Sequence, residues 1–293
     1  MPCPVCDASD EEVLYEPTVE VRDPGLLYGA ASGIRGTQRL VTCRRCGMIY
    51  ESPRYPDEVI FAGYASSEES GHDSQHPMRV RSFRRALEKL ARHLPPSGSK
   101  VLDIGCAGGG YLEAAAAFGY EAVGLEPSRF LVEQGRQRGL QVEAGSIESH
   151  PFSAGSFDLV SFWDVLEHVP DPKAAIVEAA RLLRPDGVLL INYPDIGTWQ
   201  ARIAGRRFWW ILSVHLHHFS RRTLAEACRR SGVEAFVYRR YWQTLQVGYL
   251  QDVGVQLGVP LGRLLRRLTP RAVRRLPLPY YASQTTALAR IVR

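Results

Sequence analysis

Lysine is nearly absent from this 293-residue chain: of 36 basic residues, only Lys89, Lys100 and Lys173 are lysines. An arginine- and alanine-rich chain of this kind can reflect a genome's base composition. The net charge of +5 therefore identifies neither a nucleic-acid partner nor a membrane surface. No run of about 18 uninterrupted apolar residues occurs, which argues against a transmembrane helix. The start, Met1-Pro2-Cys3-Pro4, lacks the basic residues and apolar stretch of a secretion signal, so a cytoplasmic protein is expected. At 45% hydrophobic residues the chain is long enough for one large core and a smaller module.

Cysteine is also scarce, six in all, yet four fall in two C-x-x-C knuckles, Cys3-Pro4-Val5-Cys6 and Cys43-Arg44-Arg45-Cys46. Each knuckle turns two sulfurs to one side of a tight loop, and two knuckles complete a tetrahedral shell for zinc. Two disulfides are the alternative, disfavoured without an export signal. Four thiolates leave no open position, so a structural zinc is expected, stapling a segment too small to carry its own core. The 36 residues between Cys6 and Cys43, which include Pro24, Gly25, Gly29 and Gly33, read as a long hairpin or loop reaching toward the active site. Cys106 and Cys228 read as packed small side chains.

The most specific segment is Val101-Leu102-Asp103-Ile104-Gly105-Cys106-Ala107-Gly108-Gly109-Gly110, followed by Gly124-Leu125-Glu126. An apolar strand, a glycine turn into a helix, and an acid ending the next strand form a nucleoside pocket in an open α/β sheet. The glycines admit close backbone approach, and the helix start supplies unpaired N–H groups. Glu126 can accept two hydrogen bonds from a ribose diol. Gly105, Ala107 and Gly110 also fit loosely a dinucleotide fingerprint. Asp103 weighs against it, because an acid there opposes a pyrophosphate but suits a ligand with an ammonium group.

Along the chain, residues 1–55 form the ribbon and 56–98 a polar connector followed by an amphipathic helix over 79–94 that ends at Pro95-Pro96. Strands are expected near 100–105, 121–126, 140–144, 157–162 and 187–193, with helices near 109–118, 128–138 and 172–184. Their alternation implies a parallel sheet within a domain spanning 99–293. A segment over 195–218 with Trp199, Phe208, Trp209 and Trp210 reads as an aromatic cap or as core. Ser220 caps a helix running to about Arg230, with Gly232 as its stop. Strands at 233–240 and 284–292 close the sheet antiparallel and leave 243–280 as an insertion. Within it, 261–276 is arginine-rich and amphipathic, suiting either an anionic membrane surface or, the preferred reading, a solvated face over a packed one.

The chain resembles the class I S-adenosylmethionine (SAM) dependent methyltransferases from about Val101 to Tyr193. Four ordered matches carry the resemblance: Val101–Gly110, Glu126, Phe157-Asp158-Leu159-Val160 with Asp164-Val165-Leu166-Glu167-His168-Val169, and Leu183-Arg184-Pro185-Asp186-Gly187-Val188-Leu189-Leu190. Ala107 stands where the commonest form has glycine. The resemblance implies a Rossmann-like seven-stranded sheet. It also implies SAM contacts from Asp103, Gly105, Ala107 and Gly109 around the methionine portion, Glu126 at the ribose, Ser146 and Ile147 at the adenine, and Phe162 and Trp163 near the methyl group.

His215-Leu216-His217-His218-Phe219-Ser220 is similar to the His-Leu-x-x-Phe-Ser element of a bacterial branch that joins an N-terminal zinc ribbon to this domain, some members acting as sugar C-methyltransferases. In that branch the first histidine, often preceded by glutamate, acts as base. Here Val214 stands where the glutamate would be, so the Glu-His dyad is absent and C-methylation of a sugar is not favoured. His215 is the first candidate base, His218 the second, and His168 a third or an organiser of its loop. A metal cluster of His215, His217 and His218 is a lesser possibility. The expected activity is methylation of a hydroxyl or carbon of a small molecule such as a sugar, polyketide or lipid. RNA methylation is disfavoured, because Phe162-Trp163-Asp164-Val165 lacks the [ND]-P-P-[YF] element. A non-catalytic SAM-binding zinc protein is the remaining alternative. The sequence does not fix an oligomeric state.

Overall fold

The computed structural model describes residues 1–19, 27–28, 36–65, 75–256 and 261–292. Pro24, Gly25, Gly29 and Gly33, with the polar stretch 66–72, lie outside the described residues.

Two sheets are present among the described residues. The larger has seven strands in the order β10-β11-β8-β7-β4-β5-β6: β4 Lys100–Ile104, β5 Glu121–Glu126, β6 Gln141–Ala144, β7 Phe157–Trp163, β8 Leu183–Pro194, β10 Val233–Gln246 and β11 Pro277–Ile291. The first five pair parallel, while β11 runs antiparallel to both β8 and β10. The helices that return the chain are α1 Asp57–Ala65, α2 His76–Leu90, α3 Gly110–Ala117, α4 Arg129–Gln137, α5 Pro172–Leu182, α6 Trp199–Ala204 and α7 Arg221–Arg230.

Local chemistry explains the helix starts. Asp171 accepts from the N–H groups of Lys173 and Ala174, with Pro172 at the first position of α5. Ser220 and Thr223 form a reciprocal capping box at α7, and Gly232 follows with φ +75°. The expected helix over 79–94 begins three residues earlier, with Pro77 in its first turn, and its buried Val80, Leu87 and Leu90 pack with Tyr111 and Leu112 of α3. Each such burial stabilises by roughly 1.5–3 kcal/mol.

The smaller sheet has the order β1-β2-β3-β9, from β1 Glu11–Tyr15, β2 Leu40–Cys43, β3 Ile49–Glu51 and β9 His217–His218. Its last strand comes from the middle of the methyltransferase-like region, so the ribbon and the larger unit share a sheet. They share a core too. Cys3, Val5, Cys6, Val41 and Cys43 belong to the same buried cluster as Leu102, Phe162, Ile176, Tyr193 and Phe219.

β10 and β11 run further than expected, so the insertion spans 247–276 rather than 243–280. It holds α8 Val247–Gln256, α9 Gly262–Leu268 and α10 Arg271–Arg274. The expected packed face of this segment is not formed among the described residues: Leu261, Leu264, Leu265 and Leu268 are all at least half exposed. Of the two readings of 195–218, cap or core, most of its aromatics fit core. Phe208 is buried, and the indole N–H groups of Trp209 and Trp210 both donate to the Ala282 carbonyl, while Trp199 stays exposed. No helix of the described residues is long and apolar enough to cross a membrane.

Candidate active site

Between β4 and α3 the chain makes a tight turn with Gly105, Ala107 and Gly109 at φ +66°, +47° and +85°. Ala107 thus takes a left-handed conformation that costs a non-glycine residue little enough to be held by its neighbours. Its N–H donates to the Glu126 carboxylate at 2.9 Å, and the second Glu126 oxygen accepts from the Ser128 N–H at 2.9 Å. The acid at the tip of β5 therefore ties the glycine loop to the next helix start. The Gly145 N–H donates to the Glu126 carbonyl, and Ser146 and Ser149 exchange backbone hydrogen bonds around Ile147, so the tips of β5 and β6 converge. A Cβ on Gly105 would lie 2.6 Å from Val165, and one on Gly124 would lie 2.4 Å from the Cys106 sulfur. Glycine is required at both positions for the loop to seat on the sheet.

Asp103 pairs in register with Ser161, whose hydroxyl donates to its carboxylate at 2.7 Å. Burial raises the Asp103 carboxyl well above the usual range; the Ser161 hydrogen bond opposes this and the nearby Glu126 charge adds to it. Phe162 and Trp163, expected together near the methyl group, face opposite sides of the sheet, as adjacent strand residues must. Phe162 is wholly buried on the ribbon side. Trp163 packs on the other side among Phe83, Tyr111 and Tyr241, with ring centroids 5.0, 5.3 and 5.2 Å away.

The loop after β7 carries several ionisable side chains. Asp164, at φ +57°, accepts from Asn192 at 2.7 Å and from Gln284 at 2.6 Å, and burial raises its carboxyl to about 6 against those hydrogen bonds. Val165 packs on Gly105, so the same loop rests against the glycine turn after β4. Glu167 and His168 follow. Each offers a ligand atom within 4.8 Å of the other's and of one on His215.

Glu167 brings a carboxylate within 4.8 Å of a His215 ring nitrogen, although Val214 precedes that histidine in sequence. Glu167 is 1% exposed, and neither carboxylate oxygen has a hydrogen-bond partner among the described residues. Burial drives its carboxyl well above the usual range; the Asp164 charge adds to this and only its own backbone N–H opposes it. The triad also replaces the expected metal cluster of His215, His217 and His218, because the two-residue strand β9 sends His217 and His218 to different sides.

Both histidines of the cluster hang from one loop. His215 Nδ1 lies 2.8 Å from the Trp210 carbonyl, and His168 Nδ1 lies 2.9 Å from the Val214 carbonyl and 2.5 Å from the Tyr64 hydroxyl. A carbonyl can only accept, so both Nδ1 atoms carry the proton and Nε2 holds each lone pair. The rings stand 4.7 Å apart, and His218 lies 6.1 Å from His215. Burial pushes His215 well below its usual value, helped by His168 and His218, and pushes His218 to about 4, so both are neutral near pH 7. Nε2 of His218 has no hydrogen-bond partner among the described residues.

A cavity of about 190 Å³ opens beside His218, walled by Tyr15, Leu40 and Ile49 of the ribbon and by Ile196, Ala201 and Ile211 of the 195–218 segment. The sequence marks His168, His215 and His218 as candidates but gives no separate signal for Glu167, which lies inside the Asp164–Val169 motif, or for Tyr64, which only folding brings against the loop with α1.

Away from this site, the four ribbon cysteines converge. Their sulfurs lie within 4.8 Å of one another, with Cys3 to Cys46 and Cys6 to Cys43 each at 3.5 Å. A tetrahedral zinc with bonds of about 2.3 Å sets sulfurs about 3.8 Å apart, so these thiols fit such an ion with small adjustment.

A mostly parallel seven-stranded sheet with an antiparallel last hairpin, a left-handed glycine turn after its first parallel strand and an acid at the tip of the next is the framework of a SAM-dependent methyltransferase. Residues 75–236 match a family described as a methyltransferase domain, and the chain belongs to that family. It is 39% identical over 113 residues to a ubiquinone biosynthesis O-methyltransferase of Xanthomonas axonopodis, covering 36% of this chain and 47% of that protein. It is 32% identical over 160 residues to an uncharacterized 37.1 kDa transposon protein of Streptomyces fradiae, covering 52% and 43%. The chain thus spans about half the length, or less, of these relatives. A chain from the Haloferax volcanii complex of a methyltransferase with its activator superposes with a TM-score of 0.55 at 20% identity, covering 82% of this chain and 100% of that one, which shows the shared fold.

Proposed function

We propose that this methyltransferase acts on a hydroxyl or carbon of a small molecule held in the cavity between the ribbon and the 195–218 segment. The observation that carries this reading is the placement of His218 at that apolar cavity, with the Glu167–His168–His215 cluster behind it. A wall of Tyr15, Leu40, Ile49, Ile196 and Ile211 suits a ring or chain of an organic acceptor better than a nucleic-acid backbone. Similarity to O-methyltransferases of ubiquinone biosynthesis supports the same class of acceptor.

SAM, when bound, supplies an electrophilic methyl group on a sulfonium. In this reading Asp103 and the 105–109 turn hold the amino-acid portion, Glu126 accepts from the ribose, and Ser146 and Ile147 flank the base. The chain's own task is to fix the acceptor and take up its proton. His218 and His215 are neutral imidazoles within one ring spacing of each other, so the proton passes to His218 directly or onward toward His215.

The ribbon in this reading holds a structural zinc through Cys3, Cys6, Cys43 and Cys46. Its role is to secure the β3–β9 pairing that forms one wall of the site. Incubation of the protein with methyl-labelled SAM and host extract, followed by fractionation, tests the proposal. Label in organic-soluble small molecules is expected, and label confined to ribonuclease-sensitive material would refute it.

A further inference from the structure

We propose that Glu167, His168 and His215 form a second metal site, distinct from the ribbon thiols, that takes a divalent transition cation of zinc's kind. One carboxylate and two imidazoles with ligand atoms within 4.8 Å of one another supply a mixed nitrogen–oxygen donor set that leaves a position open. This inference deepens the proposed function and rests on it for the use of that open position.

Two independent observations point to a cation. First, the Glu167 side chain is 1% exposed, and both its oxygens lack a hydrogen-bond partner among the described residues. A buried carboxyl group with both oxygens unpartnered is unfavourable until a donor or a cation reaches it, and none of the ion pairs among the described residues involves Glu167. Second, both imidazoles are oriented through Nδ1 by backbone carbonyls, His168 by Val214 and His215 by Trp210. That is the outer support which metal-binding histidines receive, and it sets the tautomer that coordinates through Nε2. The Tyr64 hydroxyl, within hydrogen-bond reach of both His168 Nδ1 and the Val214 carbonyl, locks the arrangement from α1.

The site also sits where an ion would be useful. Val165 of the same loop packs on Gly105 of the cofactor turn, and His218 beside the cavity lies one ring spacing from His215. An acceptor hydroxyl at the open position would lose its proton more readily and deliver it to His218 Nε2, because His215 Nε2 is then a ligand. The oxygen would form its bond to the methyl carbon as the carbon–sulfur bond breaks, with that electron pair left on sulfur.

Cobalt(II) titration of the full-length protein tests the site without an acceptor. The thiolate site gives intense sulfur-to-cobalt charge transfer; a nitrogen–oxygen site gives only weak visible bands. The expected result is both sets of bands, with the weak set absent in Glu167→Gln and the thiolate set unchanged. A wild-type titration that saturates with thiolate bands alone would overturn the proposal, whether or not the variant folds. So would a Glu167→Gln protein that keeps the weak bands. Methyl transfer to a small molecule by a protein lacking the second site would leave the proposed function standing and remove only the metal.

Discussion

The backbone of Ile49 pairs antiparallel with that of His218, three residues beyond the last ribbon cysteine. The next pair, Tyr50 with His217, and the bond from the Glu51 N–H to the Leu216 carbonyl extend the contact. The ribbon therefore fixes the backbone of the histidine segment directly.

This pairing predicts that damage to the ribbon disables chemistry more than cofactor binding. Cys43→Ser should lose bound zinc and most methyl transfer, while SAM affinity by equilibrium dialysis changes only a few-fold. Among the described residues the strands that carry the glycine turn and Glu126, β4 and β5, share no strand pairing with the ribbon. Equal loss of SAM binding and turnover would mean that the whole chain had unfolded instead.

His215→Ala should lower turnover by about 10²–10⁴-fold, the range for removing a group that handles a proton at the acceptor. SAM affinity should stay nearly intact, because the partners of His215, namely Trp210, His168 and His218, all lie outside the 105–109 turn. Single-turnover rates with separately measured SAM affinity check this, and unchanged turnover would remove His215 from the mechanism.

Glu126 has a double role in the reading, accepting from Ala107 and Ser128 and facing the ribose. Hydrogen bonds to charged groups contribute about 1.5–3 kcal/mol, so Glu126→Ala should weaken SAM binding by roughly 10–100-fold. Gly124→Ala should weaken it as well by driving a methyl group into the Cys106 sulfur, and this variant should also lower the melting temperature. Calorimetric titration with SAM separates the two effects.

Glu51 offers a pH test. It is buried under the Tyr28 hydroxyl, which donates to it at 2.8 Å. Burial lifts its carboxyl from 4.5 to about 7, against the Tyr28 hydrogen bond and the Arg54 charge. The folded chain thus binds this proton more tightly than the unfolded one. Its contribution is full below about pH 4.5 and falls as the pH rises to about 7, a loss of up to about 3 kcal/mol. Glu51→Gln should flatten that part of the stability–pH curve in urea unfolding, and an unchanged slope would contradict the assignment.

Much of this protein was legible in the sequence, because the informative interactions were local. The glycine turn, the acid at Glu126, the Ser220 cap and the alternation of strands and helices are set within a few residues, where backbone sterics and side-chain period dictate the outcome. The cysteine pairs announced a cluster for the same reason. What the sequence could not order was contact between distant segments of irregular length. It placed Val214 before His215 and so lacked a carboxylate, whereas folding brought Glu167 there from the β7 loop and Tyr64 from α1. It drew the ribbon as a separate unit, whereas strand pairing joined it to His217 and His218. It expected a packed apolar face over 261–276, because periodicity reports which residues share a side and not whether anything covers that side. The sequence by itself determined the sheet and the glycine turn after its first parallel strand. The tertiary structure alone decided which side chains meet around His215, because that depends on how whole elements pack and not on any residue's own neighbours.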